Sequence, residues 1–322
     1  MTETPAMRRR LLRPYAVAAL ALAALFVWQP DKITLSASAG TTSSGITKGD
    51  TCPYKVETPH FIVEFSVPPN IGRGYATLCE KAYTKFSDIF QVPESEVVWE
   101  GKCKIYLFAN HDQFVRFAAE THGAGAAVSG GYTLPNKKDP LIVLFIQGKD
   151  HITLQQVLIH EMTHVFLQVF HKEVRLSTWI HEGFAQLFEF QHHPEKSRLQ
   201  TSRSTAKAMV KQGMTRPLSG FWVSAFPATD YAGYAQAWSL VNFMTYSKDL
   251  RKKTGKYVLA LKDRAPEHKG FMAIETEADL QKAIKAEVEK EFKFQAEVFQ
   301  EIFGIPVDKF ETNWKRYVLA TY

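Results

Sequence analysis

From Tyr15 to Trp28 the chain is one uninterrupted apolar run rich in Ala and Leu, and Arg8, Arg9, Arg10 and Arg13 precede it. A basic stretch followed by such a run is the pattern of an export signal, and it falls short of the ~20 residues that cross a bilayer comfortably. The best small-residue cleavage site, Ala37-Ser38-Ala39, lies further past the run than such sites usually do. Residues 1–39 therefore read as a signal peptide or as a retained membrane anchor. Either places the rest of the chain outside the cytoplasm, because the arginines stay inside. Residues 40–51, short of apolar side chains and rich in Ser, Thr and Gly, read as a flexible spacer.

Beyond Cys52 the apolar positions recur with the periods of a folded domain. His60 to Phe65 reads as a strand, and Tyr75, Leu78, Cys79, Ala82, Phe86 and Ile89 mark one face of a helix. A strand over Cys103 to Phe108, a short helix from Asn110 to about Glu120, and two further strands, Gly130 to Thr133 and Leu141 to Ile146, complete a sheet-bearing half over residues 52–150. After Asp150 the spacing turns helical. Thr153 with Gln156 forms a capping-box signature for a helix running to about Phe170. A second helix spans Thr178 to about Gln191, stopped by Pro194; a third begins near Asp230, and Thr276 with Asp279 opens a long amphipathic one. The pattern predicts an α+β fold, a mixed α/β sheet subdomain followed by a helical subdomain over residues 151–322, with any chemistry at their junction.

Composition narrows this little. The net charge of +6 drops to +3 once residues 1–39 are set aside, and no basic cluster interleaved with aromatics is present. The Lys/Glu run from Glu275 to Lys293 reads as a solvated helix face, so no nucleic-acid partner is expected. Cys52, Cys79 and Cys103 lack the close spacing of a thiolate metal site, and read as buried thiols or as one disulfide whose pair the sequence does not choose.

The candidate chemistry lies in His160-Glu161-Met162-Thr163-His164. On a helix the two histidines fall about one turn apart on one face, so both imidazoles can reach one ion. Glu161 is then placed to take a proton from a water that the ion acidifies. A pentapeptide of this kind arises by chance, and a catalytic zinc needs a third protein ligand. A histidine two turns further on is absent, because Phe170 stands there and Leu167 holds the position where a glycine would be needed. His171 is one residue out of register. The better candidate is Glu182, in Trp179-Ile180-His181-Glu182-Gly183-Phe184-Ala185, which a helical hairpin can return to the metal. His181 points about a hundred degrees away from Glu182 and could line the cleft. His192 and His193 sit at a helix end and need no special role.

These residues, with Phe188-Glu189 further on, resemble the gluzincin metallopeptidases of the thermolysin and aminopeptidase N type. The order of strand, zinc helix and Trp-x-x-Glu-Gly helix is closer still to the bacterial peptidase MA-like family. The likeness covers roughly residues 55–320 and is specific over residues 153–190. It implies a zinc cofactor held by His160, His164 and Glu182, with Glu161 as general base. It also implies that Tyr234, with Tyr231 as rival, supports the oxyanion, and that Gln186, four residues after Glu182, orients a zinc-bound histidine. Phe303-Gly304, Phe310 and Trp314 resemble the ending of such proteins and read as a helix turn and a packed terminal helix.

The function expected is a secreted, periplasmic or membrane-anchored zinc peptidase acting on peptides or proteins. Gly130 to Thr133 offers no acidic group to hold a free amine, and its glycines suit the close approach of an added substrate strand, which favours endopeptidase action. The competing reading is an envelope binding or scaffold protein that keeps the fold without useful turnover.

Overall fold

A computed structural model describes residues 52–122, 131–171, 176–264 and 277–322. The export segment, the spacer and Gly130 lie outside the described residues. Among the described residues no helix is long and apolar enough to cross a membrane.

The first half is a five-stranded sheet with two helices. Its elements run β1 (Tyr54–Glu57), β2 (Phe61–Phe65), α1 (Pro69–Phe90), β3 (Cys103–Phe108), α2 (His111–His122), β4 (Gly131–Leu134) and β5 (Leu141–Phe145), in the sheet order β1-β2-β3-β5-β4. The three central strands are parallel and the two outer ones antiparallel. Parallel strands are covered on both faces, so they read as near-continuous apolar runs. Accordingly Ile105, Leu107, Ile142 and Leu144 join the main core, while Tyr106, Phe108, Leu141 and Val143 form a second cluster with Phe114 of α2.

The second half is helical: α3 (His151–His171), α4 (Thr178–Gln191), a 3-10 turn at Pro194–Lys196, α5 (Leu199–Lys211), α6 (Leu218–Phe221), α7 (Tyr231–Tyr246), α8 (Lys248–Arg264), α9 (Glu277–Phe303) and α10 (Val307–Thr321). The mixed sheet followed by helices bears out the α+β reading at this level. α4 packs between α3 and α7, α3 also lies against β4 and β5, and α1 packs on α3 and α8, so α1 and α3 together join the halves. Phe310 and Trp314 are fully buried, and Gly304 has the positive φ (75°) of a helix-ending turn. The terminal helix is thus core, as its sequence suggests. The three cysteines are free and buried, Cys79 and Cys103 in the main core and Cys52 in the second cluster.

The start of α3 differs from the expected capping box. Asp150 Oδ1 accepts the amide of Thr153 at 2.7 Å, so the helix begins a turn earlier, at His151. The Gln156 side chain is then free of capping and donates to the carbonyls of His192 and His193 at 2.8 and 3.2 Å, tying α3 to the end of α4. An aspartate in the cap position out-competes a threonine three residues later, because its carboxylate accepts from the orphan amides of the first turn.

Candidate metal centre

α3 and α4 carry the candidate site. His160 and His164 fall on one face of α3, and their Nε2 atoms stand 3.1 Å apart. Glu182, in the second turn of α4, places Oε2 3.6 Å from each of them. Bonds of ~2.0–2.2 Å at tetrahedral angles set ligand atoms ~3.3–3.6 Å apart, close to the edges of this triangle. Glu182 Oε2 is buried and has no hydrogen-bond partner among the described residues. A carboxylate oxygen left so, facing two imidazole nitrogens, fits a metal ion. Among the described residues these three are the one group of His, Cys, Asp and Glu whose ligand atoms converge in this way.

The electrostatics follow from the burial. Desolvation alone would lower His160, but hydrogen bonding and charge from Glu182 and Glu189 reverse this and raise its pKa to about 10 in the metal-free site. Desolvation would raise Glu182, yet the neighbouring histidines, His164 foremost, hold it down to about 2. His164 is lowered by desolvation. The metal-free site is thus an ion pair between His160 and Glu182, with His164 the more readily neutral ligand.

The residue that orients His160 is Glu189, not Gln186. Glu189 Oε2 accepts from His160 Nδ1 at 2.9 Å, and because a carboxylate only accepts, the proton of the neutral ring sits on Nδ1, which leaves Nε2 as the nitrogen that can bind metal once the ring loses its second proton. The other oxygen, Oε1, lies 3.6 Å from Arg198 Nη2. Gln186 is buried with Oε1 unpartnered among the described residues. Both share the face of α4 that carries Glu182, Gln186 one turn on and Glu189 two. Side chains lean toward the N-terminus of their helix, so the longer-range position reaches back to the imidazole. A further acid at seven-residue spacing from Glu182 was the available signal.

Tyr234 reaches the site and Tyr231 does not. Burial first, then the charge of Glu182 and a hydrogen bond to it, raise the Tyr234 hydroxyl well above its ordinary range. Tyr231, three residues earlier, is 71% exposed. Asp230 caps α7, accepting the Gly233 amide at 2.9 Å and pairing with Arg216 at 2.6 Å, which fixes the turn on which Tyr234 stands. Gly183 explains why α7 comes so near: a Cβ there would meet Val241 Cγ2 at 2.6 Å and the Ala237 carbonyl oxygen at 2.8 Å. Glu161, half-buried beside His160, acts electrostatically on both His164 and Tyr234.

The remaining histidines are outside the triangle. The ring of His181 is 5.8 Å from that of His164, at the side of the site. His171 is buried at the end of α3 with both ring nitrogens unpartnered among the described residues, and burial pushes its pKa well below the usual value. His192 Nε2 meets Gln155 Oε1 at 2.9 Å. On β4, Gly131 serves its own sheet, since a Cβ there would press on Leu144 of β5. Its missing side chain is therefore required by packing within the sheet.

Neither a scan against protein-family models nor a search of the curated proteins finds a match for this chain.

Proposed function

We propose that the protein is an extracytoplasmic zinc peptidase, most simply an endopeptidase. The observation that carries this reading is the triangle of His160, His164 and Glu182 ligand atoms, with 3.1 and 3.6 Å edges, and Glu161 and Tyr234 near enough to act electrostatically on its members. Two imidazoles and one carboxylate suit zinc, and leave a fourth position for water or substrate. Zinc supplies Lewis acidity there, polarising a carbonyl and acidifying water.

The chain's own groups divide the rest of the work. Glu161 takes a proton from the attacking water and passes it to the leaving amine, while Glu189 keeps His160 in the tautomer that presents Nε2. Tyr234 keeps its proton under all ordinary conditions, so it can donate to an oxygen on which charge develops. β4 is an edge strand without an acidic residue. An extended peptide added to that edge would lie beside α3 with nothing to fix a free amine, which favours cleavage within a chain.

The test compares wild type with Glu161→Gln for metal content and for cleavage of a diverse peptide mixture. Both should hold about one zinc per chain, and the variant should lose ~100- to 10,000-fold in turnover. Equal turnover in the two would reject Glu161 as base. Zinc in both with cleavage by neither would favour a binding protein on the same fold.

A further inference from the structure

The chain that leaves α4 is turned back on itself and pinned. His193 takes the left-handed conformation (φ 55°, ψ 66°), uncommon for a residue with a side chain, and Pro194 opens the 3-10 turn. Ser197 Oγ donates to the Pro194 carbonyl at 2.8 Å and accepts the Leu199 amide at 3.2 Å. Gln156 of α3 holds the carbonyls of His192 and His193, so the start of the turn is tied to the helix that carries the two histidine ligands. Arg198 stands at the end of this turn, as the residue before α5. The reversal brings its guanidinium back to α4, where Nη2 lies 3.6 Å from Glu189 Oε1.

Glu189 has two oxygens and a partner for each. Oε2 accepts from His160 Nδ1, and Oε1 faces Arg198. Its side chain is 10% exposed, and among the described residues Arg198 is the one lysine or arginine within ion-pair distance of it. A carboxylate so buried is costly without a compensating charge, and its terminal torsion is soft unless both oxygens are held. Arg198 itself is 63% exposed, so core packing does not require it there. It is also among the charges that act on the Tyr234 hydroxyl, which places it on the side of the site where the phenol stands.

We infer that Arg198 is a positioning residue of the metal centre, acting through Glu189 to hold its carboxylate on His160 Nδ1. The line runs from guanidinium to carboxylate to imidazole, and ends at the ring whose Nε2 belongs to the ligand triangle. The inference rests on the metal site proposed above but not on turnover. The sign of the effect separates this route from the alternative. Acting directly on a bound dication, a neighbouring guanidinium would repel it, so its loss would tighten zinc. Acting through Glu189, its loss loosens zinc.

The test is zinc affinity, measured by competition with a fluorescent chelator, in wild type, Arg198→Gln, Arg198→Lys, Glu189→Gln and the variant carrying both Arg198→Gln and Glu189→Gln. Arg198→Gln should weaken zinc about fivefold, less than the loss of Glu189 itself, because an exposed cation acts at one remove. Arg198→Lys keeps the charge, and should recover affinity to within about twofold of wild type. In the Glu189→Gln background Arg198→Gln should cause no further weakening, because the charge it compensates is gone. Zinc held as tightly or more tightly by Arg198→Gln, a lysine no better than glutamine, or the same loss in the Glu189→Gln background would overturn the inference. Wild type that binds no zinc would overturn it together with the metal centre. Affinities as expected with no cleavage of peptides would overturn the peptidase reading alone.

Discussion

The sheet and the α3–α4 hairpin are both buried, but they are built from different materials. Among the described strand residues Thr133 is the one buried polar side chain, whereas α3 and α4 bury Gln156, Thr163, His164, His171, Gln186 and Glu189. The hairpin also leaves His164 Nδ1, Glu182 Oε2 and Gln186 Oε1 without hydrogen-bond partners among the described residues. Each such group costs ~1–3 kcal/mol where water is excluded. The sheet is built for stability. The hairpin gives up stability to hold these groups, of which Glu182 Oε2 faces the two imidazoles, and the sheet, with α1 and α7 packed around it, makes that possible.

Removing a ligand is the harshest way to break this comparison. Glu182→Ala should take zinc content from about one per chain to none, while the sheet half keeps its secondary structure by circular dichroism. Zinc retained at wild-type affinity would mean that another residue completes the site. Next in size is Tyr234→Phe, expected to lower kcat by ~100-fold with zinc and KM little changed, because its hydrogen bond strengthens as charge develops. Tyr231→Phe, far out in solvent, should do almost nothing; equal effects from the two would remove Tyr234 from the mechanism.

Glu189→Gln should weaken zinc by ~10- to 100-fold, the usual effect of losing a group that orients a ligand. Gln186→Leu should leave zinc affinity within error and raise thermal stability, since it removes an unsatisfied buried amide oxygen. The opposite ranking would restore Gln186 as the orienting residue.

The last test concerns pH. His160 in the metal-free site is raised to about 10 and must lose its proton to bind zinc, so uptake at neutral pH should release about one proton per ion. Zinc affinity should rise about tenfold per pH unit until His160 titrates, measured by titration in two buffers of different ionisation enthalpy. The same shifts fix the metal-free stability. The raised His160 contributes fully below its ordinary 6.5 and loses that contribution as pH climbs through about 10. The lowered Glu182 contributes fully above 4.5 and loses that contribution as pH falls through about 2.

Much of this was legible in the sequence because the signals were local. The bounds of α4, the start of α7 near Asp230 and the strand at Cys103–Phe108 follow from period, turn chemistry and Pro194, and the i, i+4 spacing of His160 and His164 puts them on one helix face. Reading failed where a choice depended on the angle between elements. Glu189 and Gln186 share a helix face, and nothing in α4 alone says which of them His160 will meet. β1 escaped notice because its four residues are mostly exposed, so they carry no buried face for a pattern to reveal. The close approach that Gly131 meets within its own sheet was not legible for a related reason: a glycine reports a close approach without saying by what.

Gly183 makes the point in mechanical terms. With no side chain between them, α4 and α7 pack closely at Gly183, so the candidate ligand Glu182 and the phenol of Tyr234 sit on one packed block. On the proposed function, opening of the cleft to a substrate would then fall elsewhere, between this block and the β4 edge. A clamp opening at that seam would vary the gap to the substrate strand while the spacing of ligand and phenol stayed fixed.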